Sequence, residues 1–262
     1  MFESILLGVV QGVTEWLPVS SEGVTAIVIG SFSDRPFRTV IAYALWLHVG
    51  TALSASVAFR GEIFGLFRDL MPASRQRSNL FIFLVIASVI SGVVGIPILI
   101  ILESLSSYVG ISAMAIVGIL MIITGGVQFR KPVTGVRGLN DVSRADAVLA
   151  GLVQGLCILP GLSRSGLTIA VLLVRQIDRR DALVISFLMS IPASVGAGIY
   201  ILVTKGTVIG GEEMLGALVA FLVGLATIKI LLRLSERVSF GLFMTLVGIF
   251  IVSGAIWQAT FT

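Results

Sequence analysis

The chain has a single cysteine, Cys157, and a single histidine, His48. One thiol excludes an intrachain disulfide and a thiolate metal cluster, so Cys157 reads as a small apolar packing residue. Charge is scarce as well: 12% of residues are charged against 56% hydrophobic, and the mean hydropathy is +1.08. That balance excludes a soluble globular domain and describes an integral membrane protein. No basic segment precedes the first apolar run and no small-residue cleavage pattern follows it, so no removable signal peptide is expected. The net charge of +4 is carried by short loops between apolar runs. It speaks for membrane topology, and no nucleic-acid partner is expected.

Apolar runs approaching the roughly 20 residues needed to cross a bilayer predict six spans. They are Val40–Phe59, Phe81–Leu102, Val109–Val127, Ala182–Val203, Met214–Ile228 with its flanks, and Phe240–Ala259. Two more apolar stretches, 4–30 and 147–175, are interrupted near their middles by Pro18 and by Pro160-Gly161. A proline frees backbone groups that lipid cannot satisfy, so such a break must be buried in protein or line a wet cavity. Both stretches therefore read as re-entrant helical hairpins.

The two interrupted stretches are copies of each other. Sliding the chain by 143 residues superposes Leu6, Gly8, Val10, Gln11, Gly12, Ser20, Gly23, Thr25 and Val28 on Leu149, Gly151, Val153, Gln154, Gly155, Ser163, Gly166, Thr168 and Val171 without a gap. The expected architecture is an all-α membrane protein, residues 1–262 forming one domain. Repeat 1 is 1–129, repeat 2 is 147–262, and 130–146 is a connector. Each repeat is a hairpin plus three spans, and the odd number of crossings inverts the second copy. Such folds place their site near the bilayer midplane where the copies meet. Of the 18 Lys and Arg residues, fourteen fall in the loops 60–78, 130–146, 175–181 and 229–238, which this layout puts on one side. The positive-inside rule makes that side cytoplasmic, so both termini and the first hairpin's mouth face outward. The stretches 60–78 and 130–141 themselves read as plain cytoplasmic connectors.

Arg164 belongs to no loop. It lies in "PGLSRSGLT", residues 160–168, inside the second break. An arginine near the bilayer centre costs about 2.5–3.5 kcal/mol on insertion scales, so it requires a partner or a function. One reading is an ion pair with Glu15 or Glu22. The other is an anion site: Ser163 and Ser165 add hydroxyls, and Gly166 opens a helix whose N–H groups favour a phosphate. In "EWLPVSSEGVT", residues 15–25, the first break carries Glu15, Ser20, Ser21, Glu22 and Thr25, and Gln11 shares a helical face with Glu15. Carboxylates beside an anion-binding arginine make a poor static site unless a metal or a proton transfer accounts for the acid. The pairing points to phosphoryl chemistry. His48 lies in a predicted span, where a histidine hydrogen-bonded inside the bundle and one approaching the site are both open readings.

The motif of the first break, with Glu15, resembles the EGxTExLPVSSTGH signature, and that of the second break, with Arg164, the PGxSRSGxT signature, of the undecaprenyl-diphosphate phosphatase family, the bacitracin-resistance proteins BacA. Motif order, the "LHVGT" stretch at 47–51 and the chain length extend the resemblance to essentially the whole sequence. It implies hydrolysis of a C55-type polyprenyl diphosphate to the monophosphate and inorganic phosphate at the outer face of the plasma membrane, with a divalent cation, Mg2+ or Ca2+. It also implies recycling of the lipid carrier of cell-envelope glycan synthesis and bacitracin resistance. On this reading Glu15, Ser21 and Arg164 are catalytic, while Ser20, Ser163, Ser165, Gly166 and Thr168 bind substrate. Gln11, Glu15 and Glu22 would serve the metal, and a homodimer is the assembly to test. The first motif departs from the pattern at Glu22, where the family has Thr, and at Val24, where it has His. A general base or nucleophile of the pattern is therefore missing there, and Glu22 is its expected substitute. A polyprenyl-phosphate transporter or flippase, or a relative acting on another lipid phosphate, is the alternative that inverted repeats also support. Hydrolysis needs the acid beside the phosphate, whereas translocation needs mainly the cationic anchor and a path to both faces.

Overall fold

A computed structural model of the chain describes residues 1–17, 20–21, 23–25, 28, 37–70, 77–105, 111–128, 135–159, 161–205, 210–234 and 240–261. Their helices, in chain order, are α1 (Phe2–Thr14), α2 (Phe37–Ala58), α3 (Arg60–Leu70), α4 (Asn79–Leu105) and α5 (Ile111–Gln128), then α6 (Arg144–Leu156), α7 (Arg164–Val174), α8 (Arg179–Lys205), α9 (Gly211–Leu234) and α10 (Phe240–Phe261). Asn79–Leu102, Arg179–Thr204 and Gly211–Ile230 are each long and apolar enough to cross a membrane, and Ala42–Ala58 with Arg60–Leu70 forms a fourth such unit bent by 85°. The molecule is apolar outside as well as inside. Val85, Val89, Val93 and Ile100 of α4, Leu218 and Leu222 of α9, and Leu246 and Phe250 of α10 are all exposed. Buried positions meanwhile include Gln11, Glu15, His48, Ser186 and Ser190. Lipid as the surrounding solvent accounts for that distribution.

Small residues decide which helices touch. Helix α1 lies so close on α9 that a Cβ built at Gly8 would come 2.5 Å from the carbonyl oxygen of Gly216, and one at Gly12 2.8 Å from Val223 Cβ. Helix α6 lies on α4 in the same way, with Gly151 facing Ala87 and Ile90 and Gly155 facing Val94 and Ser91. Helices α5 and α10 meet at Gly118 and Gly248. Lipid offers no hydrophobic drive for helix association, so close backbone approach and interhelical hydrogen bonds must supply it. Such bonds are present: Thr227 Oγ1 donates to Gly12 O at 2.7 Å and Ser91 Oγ to Gly151 O at 3.1 Å.

Both interrupted stretches are broken as expected. Helix α1 ends at Thr14 and a turn covers Glu15–Leu17; helical backbone returns at Ser21. Helix α6 ends at Leu156, and α7 starts at Arg164 with Ser163 as its N-cap. Gly161, between them, has a φ of 103°, a conformation that side chains other than glycine's resist. Pro18 and Pro160 lie outside the described residues.

The stretches expected to be plain connectors carry structure. Helix α3 follows α2 after a single turn residue and leaves at a right angle. Its Ile63 and Leu66 pack on the core while Phe64, Phe67 and Leu70 are exposed. The charges spaced along "RGEIFGLFRDL" hid this amphipathic pattern behind a polar average. In the second stretch Arg137 pairs its backbone with Ile177 and its guanidinium with Asp146, 2.5 Å away. Asp146 is buried in the first turn of α6, where Arg175 Nε also reaches it at 2.6 Å and Ser143 completes a capping box. Burial alone would raise this carboxyl, but the hydrogen bonds from Arg137, Arg175 and Ser143 prevail and hold it well below the usual carboxylate range.

A depressed folded-state pKa means stability that is present above the unfolded value and lost as pH falls through the folded one. Asp146→Asn is therefore expected to lower the melting temperature of the detergent-solubilised protein by several degrees at pH 7. The difference from wild type should shrink as the pH drops below about 4. Scanning fluorimetry at pH 7 and at about pH 2.5 reads both effects, and equal melting temperatures at pH 7 would dismiss the role.

Candidate active site

The two breaks meet each other. Ser20 Oγ accepts the Gly23 N–H at 3.1 Å and, across the interface, the Gly161 N–H at 3.0 Å. In return Ser165 Oγ donates to Leu17 O at 2.7 Å. Ser163 caps α7 by accepting the Gly166 N–H at 3.1 Å. Thr168 Oγ1 donates to Arg164 O at 2.7 Å and lies 2.7 Å from Ser186 Oγ. Of the residues expected to bind substrate, Ser20 and Ser165 bond across the seam between the breaks, whereas the bonds of Ser163, Gly166 and Thr168 stay within the second break and its contact with α8.

At the seam sits Glu15, 3% exposed. Its Oε2 accepts from Gln11 Nε2 at 2.7 Å and from Ser21 Oγ at 3.1 Å, and it lies 3.2 Å from His48 Nε2. Its Oε1 forms an ion pair with Arg164, whose other terminal nitrogen donates to Ser186 O at 3.2 Å. Glu15, Ser21 and Arg164, placed 149 residues apart along the chain at the extremes, share one buried point. Of the open readings for Arg164 the ion pair with Glu15 is realised here; Glu22 lies outside the described residues. Both readings of His48 also hold. Its Nδ1 is 2.7 Å from Ala44 O within α2, while its Nε2 faces the site.

The family model for the bacitracin resistance protein BacA matches residues 4–252. A protein of Methanococcoides burtonii named undecaprenyl-diphosphatase is 37% identical over 254 residues, covering 94% of this chain and 95% of its own. Proteins of the same name from Haloarcula marismortui and Methanopyrus kandleri are 38% and 36% identical, each covering 93% of its own length. The chain belongs to the BacA family. Within this BacA chain, Ser186 is a site neighbour that sequence reasoning missed. It lies in an apolar helix, where the 4-residue spacing of Ser186, Ser190 and Ser194, all buried, marked a polar face.

The cation that the resemblance implies has few ligands to meet. Among the described residues no group of three His, Cys, Asp or Glu side chains gathers, and both oxygens of Glu15 already face donors. Gln11 Oε1 is buried without a hydrogen-bond partner, a single free acceptor where a hard cation takes about six oxygens or more. Gln11 and Glu15 by themselves do not supply a cation's oxygen shell, and Glu22, the third residue expected to serve the metal, lies outside the described residues.

Removing one member of a buried ion pair strands the other, at a cost of about 3–5 kcal/mol, whereas removing both is far milder. Arg164→Ala is thus expected to melt well below wild type and Glu15→Ala/Arg164→Ala to recover much of the loss. Additive losses in the double variant would show that the two side chains are not coupled.

Proposed function

We propose that the chain hydrolyses undecaprenyl diphosphate, or a similar polyprenyl diphosphate, to the monophosphate and inorganic phosphate. The observation that carries this reading is the buried meeting of Glu15, Ser21 and Arg164 between two broken helices. A static anion site has no use for a carboxylate paired to its arginine, whereas a transfer site needs both. The membership in the family and the name shared by the relatives support the substrate class.

In the proposed reaction Arg164 turns from Glu15 to the diphosphate and takes its oxygens with a planar fork. Ser21 Oγ attacks the terminal phosphorus, and its proton passes to Glu15 Oε2, already its hydrogen-bond partner. The bond from that phosphorus to the bridging oxygen breaks, and Glu15 returns the proton to the departing polyprenyl monophosphate. Water then attacks the phosphoserine from the same side chain's vicinity, Glu15 takes its proton, and phosphate leaves as Ser21 recovers its hydrogen. Arg164 meets the charge that develops on the transferred group in both steps. A divalent cation belongs to this proposal only as a companion of the substrate's phosphates, checked by chelation with EDTA and add-back of Mg2+ or Ca2+.

We also infer that the two halves are inverted repeats. In support, Gly8 and Gly12 meet residues 216–224 of α9 as Gly151 and Gly155 meet residues 87–95 of α4, so the partner positions differ by a constant 129 residues. Each hairpin thus packs on the other half's second long helix, the exchange expected when copies interlock about an axis in the membrane plane. With the basic loops cytoplasmic, the site and both termini face outward. Lipid arriving from the outer leaflet would present its diphosphate there.

Phosphate release from polyprenyl diphosphate by the purified protein tests the reading. Glu15→Gln and Ser21→Ala are expected to lower kcat by a factor of about 100 or more, and Arg164→Lys to lower kcat/KM nearly as far although the charge is kept. Wild-type release by Glu15→Gln and Ser21→Ala in folded preparations would reject hydrolysis and bring lipid transport forward.

A further inference from the structure

Helix α3 leaves α2 at a bend of 85° and, with 11 residues, is too short to cross a bilayer by itself. Where α2 crosses the membrane, α3 therefore runs along its surface, on the side of the basic loops. Its side chains sort into strips around the axis. Ile63 and Leu66 pack on the core. Roughly a quarter turn away stand Phe64 and Phe67, whose rings remain 65% and 58% exposed. On the side opposite the core, Gly61 and Gly65 face open space, with nothing within 4 Å of a Cβ built at either. Arg60 and Arg68 are exposed and flank Phe64 at four residues on each side, so arginine, ring and arginine form one row along the helix. The acids of α3 lie off that row. Glu62 and Asp69 are half-buried, and Asp69 accepts the Ser78 N–H at 3.0 Å, tying the end of α3 to the start of α4.

We propose that α3 is an interfacial anchor: it seats Phe64 and Phe67 in the leaflet on the basic-loop side, and Arg60 and Arg68 take the phosphates of anionic lipids there. Protein on one strip, bare aromatic rings on the next and open glycines beyond them match one place, the corner where the wall of the bundle meets the membrane surface. The lipid-facing surface also runs up to this corner without a gap, because Leu53 and Val57 in the last turns of α2 are exposed. The apolar face of a helix lying in this plane reaches about 5–10 Å into the boundary between headgroups and acyl chains. Arginine stems are long enough to lie along that boundary and lift their guanidinium groups to the phosphates, where an anionic leaflet attracts them.

Spin labels attached through Phe67→Cys and Gly65→Cys, each in a full-length Cys157→Ala chain, test the placement in vesicles made of equal parts phosphatidylcholine and phosphatidylglycerol. The label at position 67 is expected to collide with oxygen in preference to a water-soluble nickel chelate, and the label at position 65 the reverse. If the chelate reaches position 67 as freely as position 65, the rings stand in water and the proposal is overturned. If neither reagent reaches position 67, protein covers the rings, a second copy included, and the proposal is overturned equally. Phe64→Cys carries the same comparison if the Phe67 variant fails to fold. Amide exchange across residues 60–70 tests the charge. It is expected to be about tenfold slower in the mixed vesicles than in phosphatidylcholine alone, and Arg60→Gln/Arg68→Gln should remove that difference. Equal exchange of the wild-type chain in the two lipids, or a difference that survives in the double variant, overturns the lipid-phosphate contact. Both measurements read α3 itself, so their outcome is separate from that of the phosphate-release assay.

Discussion

A guanidinium and a carboxylate held together in the interior of a lipid-facing bundle impose most of what surrounds them. Neither Arg164 nor Glu15 could stay there alone, because each would be a stranded charge in a medium that cannot solvate it. Their pairing requires that residues from two distant breaks arrive at one point with their remaining polar groups satisfied. Ser20 and Ser165 bond across the two breaks and Thr168 with Ser186 ties the second break to α8, a polar network within an apolar shell. In the proposed reaction the same network would hold Ser21, Glu15 and Arg164 in register before a substrate enters.

Around this point the packing follows the rules of a membrane interior. Gly8 and Gly12 let α1 settle onto α9, and Gly151 and Gly155 do the same for α6 on α4. Each of these short helices ends at a break, so its position sets where Glu15 and the cap of α7 lie. Trp16, next to Glu15, anchors the first break by donating to Gly224 O at 3.0 Å and packing edge-to-face with Phe187 at 5.1 Å between centroids.

Much of the fold was legible because lipid leaves few choices. Long apolar runs must be helices, and α2, α4, α5, α8, α9 and α10 appear within a few residues of their expected bounds. The breaks were legible from proline and glycine, and the candidate site from charges that have no place in an apolar run. Helix α3 was not legible as a helix, since its arginines and acids gave the segment the average of a loop. Asp146 was missed for a related reason: nothing local distinguishes a solvated aspartate near a helix start from one buried between Arg137 and Arg175.

The amino-acid sequence by itself determined that this is a helical membrane protein, that its two halves share a pattern, and that Glu15, Ser21 and Arg164 belong to unusual segments. Those are consequences of composition and spacing, which act locally. Tertiary structure alone decided that Arg164 pairs with Glu15, that Ser20 bridges to Gly161, and that His48 turns from α2 toward the carboxylate. These are meetings between residues far apart in the chain, and they depend on how closely backbones approach at glycines and on which way each helix is turned. No pattern along one strand of sequence carries that rotation, because it is set by the neighbour against which the helix packs.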